Sequence, residues 1–335
     1  MRQAWLNIGL SAQAPSTRQS GMTMKHTPFS KFPLPNFFMI GAAKSGTTAL
    51  WHALRQHPDI HLSPIKEPCF FLSNGHAPNH TGHGWDFIRS VGIWRPGDYV
   101  KLFGESRICH AVGEASTPYL NSPAAALRIH ANLPDSRIIA VLRQPAERAY
   151  SHFNFWRQLL LEPEKSFRAA LADQENRRSN GWFPDFLYEC SGYYHAHLHP
   201  WFELFPRERI RVFLYEEWQH HPRQTLADIF RFLGVNDNFK PNLQPCNVTK
   251  LPRVAWLHRL ARDNHCTHSS TPGLWQAGRQ WAHEQVRTAN ARFNRTPPPP
   301  LDPALRSKLT RTFRDDILRL EQLLDRDLSQ WLAGT

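Results

Sequence analysis

The sequence has no long hydrophobic run and few cysteines. No window approaches the roughly 20 apolar residues that a membrane-spanning helix needs, so we expect no membrane span. The 5 cysteines of the 335 residues form no CxxC pair, which argues against a disulfide framework and against a zinc cluster. The 19 histidines show no HExxH spacing. These absences predict reduced thiols, a cytoplasmic protein and no bound metal.

The sequence also lacks a run of basic residues comparable to a nucleic-acid-binding tail, and we expect no nucleic-acid partner. Its net charge is nevertheless +12, with the basic residues spread along the chain. An anionic partner such as an acidic glycan or a phosphorylated cofactor fits this charge. The hydrophobic content of 41%, with 12% aromatic residues, is typical of a globular protein.

Residues 1–35 show little periodic pattern, and we expect a flexible N-terminal tail there. The apolar stretch Trp5–Leu10 within this tail is too short for the core of a signal peptide. Residues 36–335 show no internal repeat and no sign of a second core. The sequence therefore predicts one domain at 36–335.

Within that domain, short apolar runs alternate with helical patterns. The expected strands are 37–40, 60–62, 111–120 (a strand that runs into a turn), 137–141 and 210–215. The expected helices are 47–57, 122–132, 146–158, 191–205 with an interruption at Pro200, 222–233 and 301–324. This alternation predicts an α/β fold, with a central, mostly parallel sheet and helices on both faces. Residues 72–96 are rich in Asn, Gly, His and Trp, and we expect a long surface loop or lid there. This segment and the segments 161–190 and 251–300 are expected to hold the determinants of specificity.

The stretch GAAKSGTT, Gly41–Thr48, lies between the first expected strand and the first expected helix. Main-chain N–H groups converge at such a turn and the helix dipole adds positive charge, so phosphate or sulfate is the expected ligand. Lys44 adds a full charge. A Walker A loop is disfavoured because Thr47, rather than lysine, follows Gly46. The alternative is a glycine turn that binds nothing.

A second anion site is predicted after the strand 137–141. Arg143 would lie at the carboxyl end of this strand, where open α/β sheets bind ligands. Ser151 lies about two helical turns into the helix that follows. A guanidinium group and a hydroxyl together suit a phosphate. The alternative is that Arg143 only pairs with a carboxylate.

Together these motifs resemble the sulfotransferases that use 3′-phosphoadenosine-5′-phosphosulfate (PAPS). IGAAKSGTTAL is similar to the 5′-phosphosulfate loop of that family, and VLRQPAERAYSHF is similar to its 3′-phosphate motif. The resemblance extends from about Phe37 to Trp331 and includes KEPCFF, GEASTPYL, VFLYEE and LEQLLDRDLSQW. It implies a P-loop-NTPase-like three-layer fold, PAPS as co-substrate and an acceptor with a hydroxyl or an amine. The glycosaminoglycan sulfotransferases share this outline, which makes a saccharide a candidate acceptor.

The resemblance also implies roles for individual residues. The residues implied for PAPS binding are Ala43, Lys44, Ser45, Gly46, Thr47, Thr48, Arg143, Ser151, Lys250 and Arg253. Lys44 would stabilise the charge on the departing phosphate oxygen without a metal. Glu67 of KEPCFF would accept the proton of the acceptor. For Thr48 the alternative is a role as helix cap.

The chain departs from the glycosaminoglycan enzymes at two points. Those enzymes carry a histidine two residues after the acid, where this chain has Cys69, and GEASTPYL lacks their lysine. These differences weaken the glycan assignment and leave the cofactor assignment unchanged. Glu114 and Glu216 follow apolar strands, and we expect them to anchor neighbouring groups rather than to react.

Several alternatives stay open at the level of sequence. Glu67 could be a surface carboxylate paired with Lys66, and the competing bases are His52, His61 and His110. Two other functions are possible at this level: a P-loop phosphotransferase in which Glu216 imitates a Walker B acid, and a non-catalytic binder of anionic glycan. The tryptophans that suit sugar rings, if they do not pack in the core, are Trp85, Trp94, Trp182 and Trp201.

Overall fold

A computed structural model of the chain describes residues 33–104, 106, 109–243, 250–252, 254 and 294–333. Its main strands are β1 (Phe37–Gly41), β2 (Ile60–Leu62), β3 (Ala111–Ala115), β4 (Arg137–Leu142) and β5 (Ile210–Leu214). They form one parallel sheet in the order β2-β3-β1-β4-β5. Each strand begins at the residue that the apolar runs predict, so the expected parallel sheet is confirmed.

The sheet separates two hydrophobic cores because successive side chains of a strand point to opposite faces. On β1, Phe38 and Ile40 belong to one core, whereas Phe37 and Met39 belong to the other. All five residues of β1 are buried, as expected for a central strand covered on both sides. The structure therefore has three layers, with helices on both faces of the sheet.

The helices give the layers their order along the chain. They are α1 (Thr47–Leu54), α2 (Trp85–Val91), α3 (Pro96–Lys101), α4 (Pro123–Asn132), α5 (Pro145–Gln158), α6 (Phe167–Ala172), α7 (Gln174–Ser179), α8 (Tyr194–Leu204), α9 (Tyr215–His220), α10 (Pro222–Leu233), α11 (Pro303–Leu324) and α12 (Ser329–Leu332). A short antiparallel pair joins β6 (Leu251–Pro252) to β7 (Arg295–Thr296). Within the described ranges, no helix combines the length and the apolar character that crossing a membrane requires.

Three details differ from the sequence-based expectation. Helix α1 ends at Leu54, before the expected His57, whose buried ring instead lies 2.9 Å from the carbonyl oxygen of Asn236. Helix α8 continues through Pro200 without the expected interruption. The segment 72–96 is not a plain loop, because α2 forms within it and buries Trp85 and Ile88.

The start of α4 carries a side-chain cap. The Ser122 hydroxyl accepts a hydrogen bond from the N–H of Ala125 at 3.2 Å, and Pro123 occupies the first turn of α4. The expected tail at 1–35 is described only from residue 33 onward, where Leu34 packs against the core.

Candidate functional site

The turn between β1 and α1 requires glycine at both ends. At Gly41, φ is 156° and a Cβ would lie 2.8 Å from the Cβ of Leu120. At Gly46, φ is 82° and a Cβ would lie 3.0 Å from the ring of Trp218. A side chain at either position would have to displace its neighbour. The turn is therefore tight, and it brings the end of β1 directly to the start of α1.

The N-terminus of α1 carries no side-chain cap and no acidic residue in its first turn. Gly46 occupies the N-cap position, so the alternative role of Thr48 as helix cap is wrong. The first N–H groups of a helix lack intrahelical partners. The hydroxyl of Ser45 is fully buried and, among the described residues, has no hydrogen-bond partner. This helix end suits an anion.

Lys44 is held in the left-handed region with φ at 69°, and its Nζ lies 4.4 Å from the centre of the Phe155 ring. Burial lowers the pKa of Lys44 to about 8, and the charges of Lys66 and Arg143 lower it as well. Three cationic side chains therefore gather at the turn. A bound anion would relieve their mutual repulsion.

Arg143 lies directly after β4, which is the parallel neighbour of β1, so both strand ends open to the same edge of the sheet. Its Nη1 donates to the carbonyl oxygen of Lys44 at 3.4 Å, and its guanidinium lies 4.7 Å from the ring centre of Tyr215. The hydroxyl of Tyr194 donates to the carbonyl oxygen of Arg143 at 2.9 Å. The Glu216 carboxylate accepts from the N–H of Gln144 at 3.1 Å. Arg143 is thus fixed beside the turn.

Helix α5 carries Ser151 toward the same region. Ser151 and Phe155 are four residues apart and share a helix face, and Lys44 lies over Phe155. One turn further along this face, the Gln158 side chain accepts from the N–H of Lys250 at 3.3 Å. The structure thus places Lys44 and Arg143 at one edge of the sheet, with Ser151 on the adjoining face of α5 and the N–H of Lys250 at the C-terminal end of that helix. Arg253 lies outside the described residues.

Glu67 lies in the loop after β2 and is held against the segment after β3. Its N–H donates to the carbonyl oxygen of Ala115 at 2.9 Å. Its carboxylate accepts from the N–H of Thr117 at 2.9 Å and from the Thr117 hydroxyl at 3.0 Å, and it forms an ion pair with Lys66. The side chain of Glu67 remains 28% exposed. The charge of Lys66 also lowers the pKa of Lys44, so Lys66 lies between the Glu67 carboxylate and the turn in electrostatic terms.

Below this loop lies Glu114, which is fully buried. Its carboxylate accepts hydrogen bonds from the hydroxyls of Tyr99 at 2.7 Å, Tyr119 at 3.0 Å and Ser116 at 2.6 Å. Burial raises the pKa of Glu114 to about 7, although the three hydroxyl donors favour the charged form.

The three histidines considered as bases lie elsewhere. His61 is turned to the carbonyl oxygen of Leu102, at 2.8 Å. His110 precedes β3, at the amino ends of the strands and therefore at the opposite edge of the sheet. His52 is exposed on the last turn of α1. The geometry favours Glu67 over these residues as the group near the turn.

Two of the four tryptophans suggested for sugar rings pack in the core instead. Trp201 is fully buried, and Trp85 is 4% exposed and donates to the carbonyl oxygen of Gly181 at 2.9 Å. Trp94 and Trp182 are half-buried. The suggested role in contacting a sugar ring is therefore wrong for Trp85 and Trp201, because both indoles are packed in the core.

A buried polar group next to the turn was not expected from the sequence. The His152 ring lies 3.2 Å from Arg148 through Nδ1 and 3.5 Å from Asp185 through Nε2. Burial lowers the pKa of His152, and the charge of Lys44 contributes to this shift. The four-residue spacing of Arg148 and His152 on α5 could have indicated a shared face, but no local pattern indicates Asp185.

The segments 72–96 and 161–190 contact each other beside the site, and we call these two segments together the wall. The N–H of Phe183 donates to the carbonyl oxygen of His83 at 2.8 Å, and the His83 ring lies 2.6 Å from the carbonyl oxygen of Leu161. Inside this wall, Arg177 makes two hydrogen bonds of 2.8 Å to Glu162, and both side chains are fully buried. The wall is therefore held by internal polar contacts rather than left as free loops.

Among the described residues, no three His, Cys, Asp or Glu side chains lie together in a group that could hold a metal ion. The described cysteines Cys69, Cys109 and Cys190 are free thiols. The groups that the site presents to a ligand include cations, hydroxyls and main-chain N–H groups.

The chain is similar to known proteins in sequence and in fold. A family model described as a sulfotransferase domain matches residues 34–274. A solved sulfotransferase from Alicyclobacillus acidocaldarius is similar, with a TM-score of 0.70 and 32% identity over 89% of this chain and 99% of that one.

Curated relatives are longer than this chain. A bifunctional heparan sulfate N-deacetylase/N-sulfotransferase of Drosophila melanogaster is 28% identical over 60% of this chain and 20% of the fly protein. The human bifunctional heparan sulfate N-deacetylase/N-sulfotransferase 2 is 25% identical over 88% of this chain and 30% of the human protein. The chain thus corresponds to less than a third of either relative.

Proposed function

The chain belongs to the sulfotransferase family, and we propose that it transfers the sulfuryl group of PAPS to a hydroxyl or an amine of an acceptor. The observation that carries this proposal is the gathering of Lys44, Lys66 and Arg143 at the uncapped N-terminus of α1. A phosphosulfate there would accept from the N–H groups and neutralise the cations together.

The residues at this edge fit both ends of the donor. The turn Ala43–Thr48 would bind the 5′-phosphosulfate, and the Ser45 hydroxyl, which no other described residue contacts by a hydrogen bond, supports this role. Arg143 and Ser151 would bind the 3′-phosphate, supported by the position of Arg143 beside the turn and of Ser151 on the facing side of α5. Lys250 and Arg253 would complete the 3′ side.

PAPS would supply the sulfuryl group. The bond between sulfur and the 5′-phosphate oxygen would break, with its electron pair left on that oxygen, as the acceptor oxygen or nitrogen bonds to sulfur. In this proposal Lys44 stabilises the charge that develops on the departing phosphate. With a pKa of about 8, its side chain is mostly an ammonium at neutral pH. A cation fixed before the reaction begins requires no reorganisation during it.

Glu67 is the proposed base that accepts the proton of the acceptor. Its carboxylate forms an ion pair with Lys66, so a cation is held beside the proposed base. Its partial exposure leaves room for an acceptor, and its hydrogen bonds to Thr117 fix the direction of the carboxylate. These contacts support the assignment.

The named function of the fly and human relatives supports a saccharide as the first acceptor to test. The half-buried Trp94 and Trp182 of the wall could contact such an acceptor. We further propose that the catalytic domain comprises residues 36–335, that the residues before it are a tail whose end packs against the core at Leu34, and that the protein is cytoplasmic.

A transfer assay with sulfur-labelled PAPS tests the proposal. The purified chain would be incubated with mono- and oligosaccharides, phenols, amines and lipids, with and without a chelator. We expect label on an acceptor, with an equal amount of 3′-phosphoadenosine-5′-phosphate (PAP) released and no effect of the chelator. Absence of both PAPS binding and PAP release would overturn the proposal, whereas PAPS binding without transfer would leave only the acceptor class to be replaced.

A further inference from the structure

Two segments meet beneath the candidate base. We call residues Pro64–Phe71 the Glu67 loop and residues Glu114–Tyr119 the Glu114 segment. Three main-chain N–H groups of the loop donate to this segment, at Glu67, Cys69 and Phe71. Their acceptors are the carbonyl oxygen of Ala115 at 2.9 Å, the Ser116 hydroxyl at 3.0 Å and the Tyr119 hydroxyl at 3.1 Å.

The Glu67 loop needs such external support. Glu67 has a φ of 63° and Cys69 a φ of 55°, both in the left-handed region that non-glycine residues rarely adopt. Backbone in this region persists where the surrounding structure holds it. The N–H groups of every second loop residue, which donate to the Glu114 segment, supply that constraint.

The buried Glu114 carboxylate orients the two hydroxyls that receive the loop. An N–H can only donate, so Ser116 and Tyr119 must accept from the loop and turn their own hydrogens elsewhere. Both hydroxyls donate to the same carboxylate. The Ser116 oxygen lies 2.6 Å from one oxygen of Glu114, and the Tyr119 oxygen lies 3.0 Å from the other. When Glu114 is ionised, above its pKa of about 7, its carboxylate can only accept, so it fixes both hydroxyls in the orientation that the loop requires.

We propose that Glu114 is a positioning residue, which acts through Ser116 and Tyr119 to hold the loop that carries Glu67 in its reactive geometry. The inference rests on the proposed function, in which Glu67 is the base. It assigns Glu114 no contact with donor or acceptor, so its removal should lower kcat and leave PAP affinity unchanged.

Two tyrosines provide a matched pair for the test. Tyr99 and Tyr119 are both fully buried and both donate to the same oxygen of Glu114, but only Tyr119 also accepts from the loop, at Phe71. Tyr99→Phe and Tyr119→Phe keep the rings and remove one hydroxyl each. We expect Tyr119→Phe to lower kcat about tenfold and Tyr99→Phe less than about threefold, since small misplacements of a reacting group are costly. PAP affinity by calorimetry should be unchanged in both.

A double-mutant cycle adds a second measurement. Glu114→Gln should lower kcat in the natural background and have almost no further effect in a Glu67→Gln background, because a residue that acts through Glu67 loses its effect with it. Equal loss of kcat in both backgrounds, or a parallel loss of PAP affinity, would overturn the positioning role.

The outcomes separate this inference from the proposed function. If Glu67→Gln lowers kcat but Tyr99→Phe and Tyr119→Phe behave alike, the positioning role fails and the base stands. Full turnover in Glu67→Gln would overturn the base, and the positioning role with it. If Glu114→Gln does not fold, the tyrosine pair alone decides, with thermal melting as the check on both variants.

Discussion

The guanidinium of Arg143 donates a hydrogen bond to the main-chain carbonyl of Lys44, 99 residues earlier in the chain, at 3.4 Å. This contact follows from the sheet order, since β1 and β4 are parallel neighbours and end at the same edge. Two stretches that the sequence indicates as separate anion sites therefore lie side by side at one edge of the sheet. A single nucleotide with phosphates at both ends of its ribose is the ligand that we expect for it.

Replacing Lys44 by alanine should reduce turnover by a factor of about 10² to 10³, as removal of one preorganised donor to a developing anion does. The measurement is transfer of labelled sulfate at saturating PAPS. Lys101→Ala is the matched control, because its side chain is 70% exposed and forms an ion pair with Asp98 on the same helix. Turnover of Lys44→Ala equal to that of the control would refute a role for this lysine.

Binding of PAP should weaken as the pH rises through about 8, because burial and two neighbouring cations lower the pKa of Lys44 to that value. The ammonium is present below this pH and lost above it. A bound phosphate favours the ammonium, so binding at about pH 9 should take up roughly one proton. Calorimetry in two buffers of different ionisation enthalpy measures this uptake. Lys44→Arg, which stays charged, should show none.

Changing Glu67 to glutamine should lower kcat by about 10² to 10⁴ while PAP affinity stays constant, the pattern of a lost general base. Single-turnover assays and calorimetry measure the two quantities. The control is Glu175→Gln, whose side chain is 71% exposed on α7. A fall in affinity with an unchanged rate would mean that Glu67 binds the donor instead.

Arg143→Ala should weaken PAP binding by about 1.5 to 3 kcal/mol, the value of hydrogen bonds to a charged group. Removal of the 3′-phosphate from the ligand should have the same effect on the natural protein and no further effect on the variant. Arg231→Ala, at a 60% exposed position on α10, serves as control. Equal affinities of both variants for PAP would exclude Arg143 from the 3′ side.

The wall beside the site should depend on its buried ion pair. Arg177→Met leaves the Glu162 carboxylate buried without its bidentate partner, and we expect a loss of about 3 to 5 kcal/mol in the free energy of unfolding. The exposed pair of Arg231 and Asp228 gives the comparison, where Arg231→Met should cost at most about 1 kcal/mol. Urea denaturation measures both. Equal losses would mean that the buried pair does not hold the wall.

The local parts of the site could be predicted from the sequence. A buried strand, a glycine-bounded turn and a helix that follow one another within 18 residues (37 to 54) position their own N–H groups. The same holds for β4, Arg143 and α5. Such features depend on neighbouring residues, whose conformation the local apolar period and the glycines determine.

Other parts could not be predicted because they join distant residues. Thr117 contacts Glu67 across 50 positions, and the pKa of Lys44 depends on Arg143. Helix α2 escaped prediction because its seven residues form a helix by packing Trp85 and Ile88 against the core, and intrinsic propensity is a weak guide for so short an element.

The sequence by itself determined the alternation of strands and helices, the turn that presents N–H groups to an anion and the family resemblance of both motifs. Only the tertiary structure decided that β1 lies between β3 and β4, which brings Lys44, Arg143 and Glu67 to one edge. It also decided which tryptophans are buried and that Glu114 lies under the Glu67 loop. The physical reason is that the period of a pattern is local, whereas burial and electrostatic coupling depend on which elements become neighbours in space.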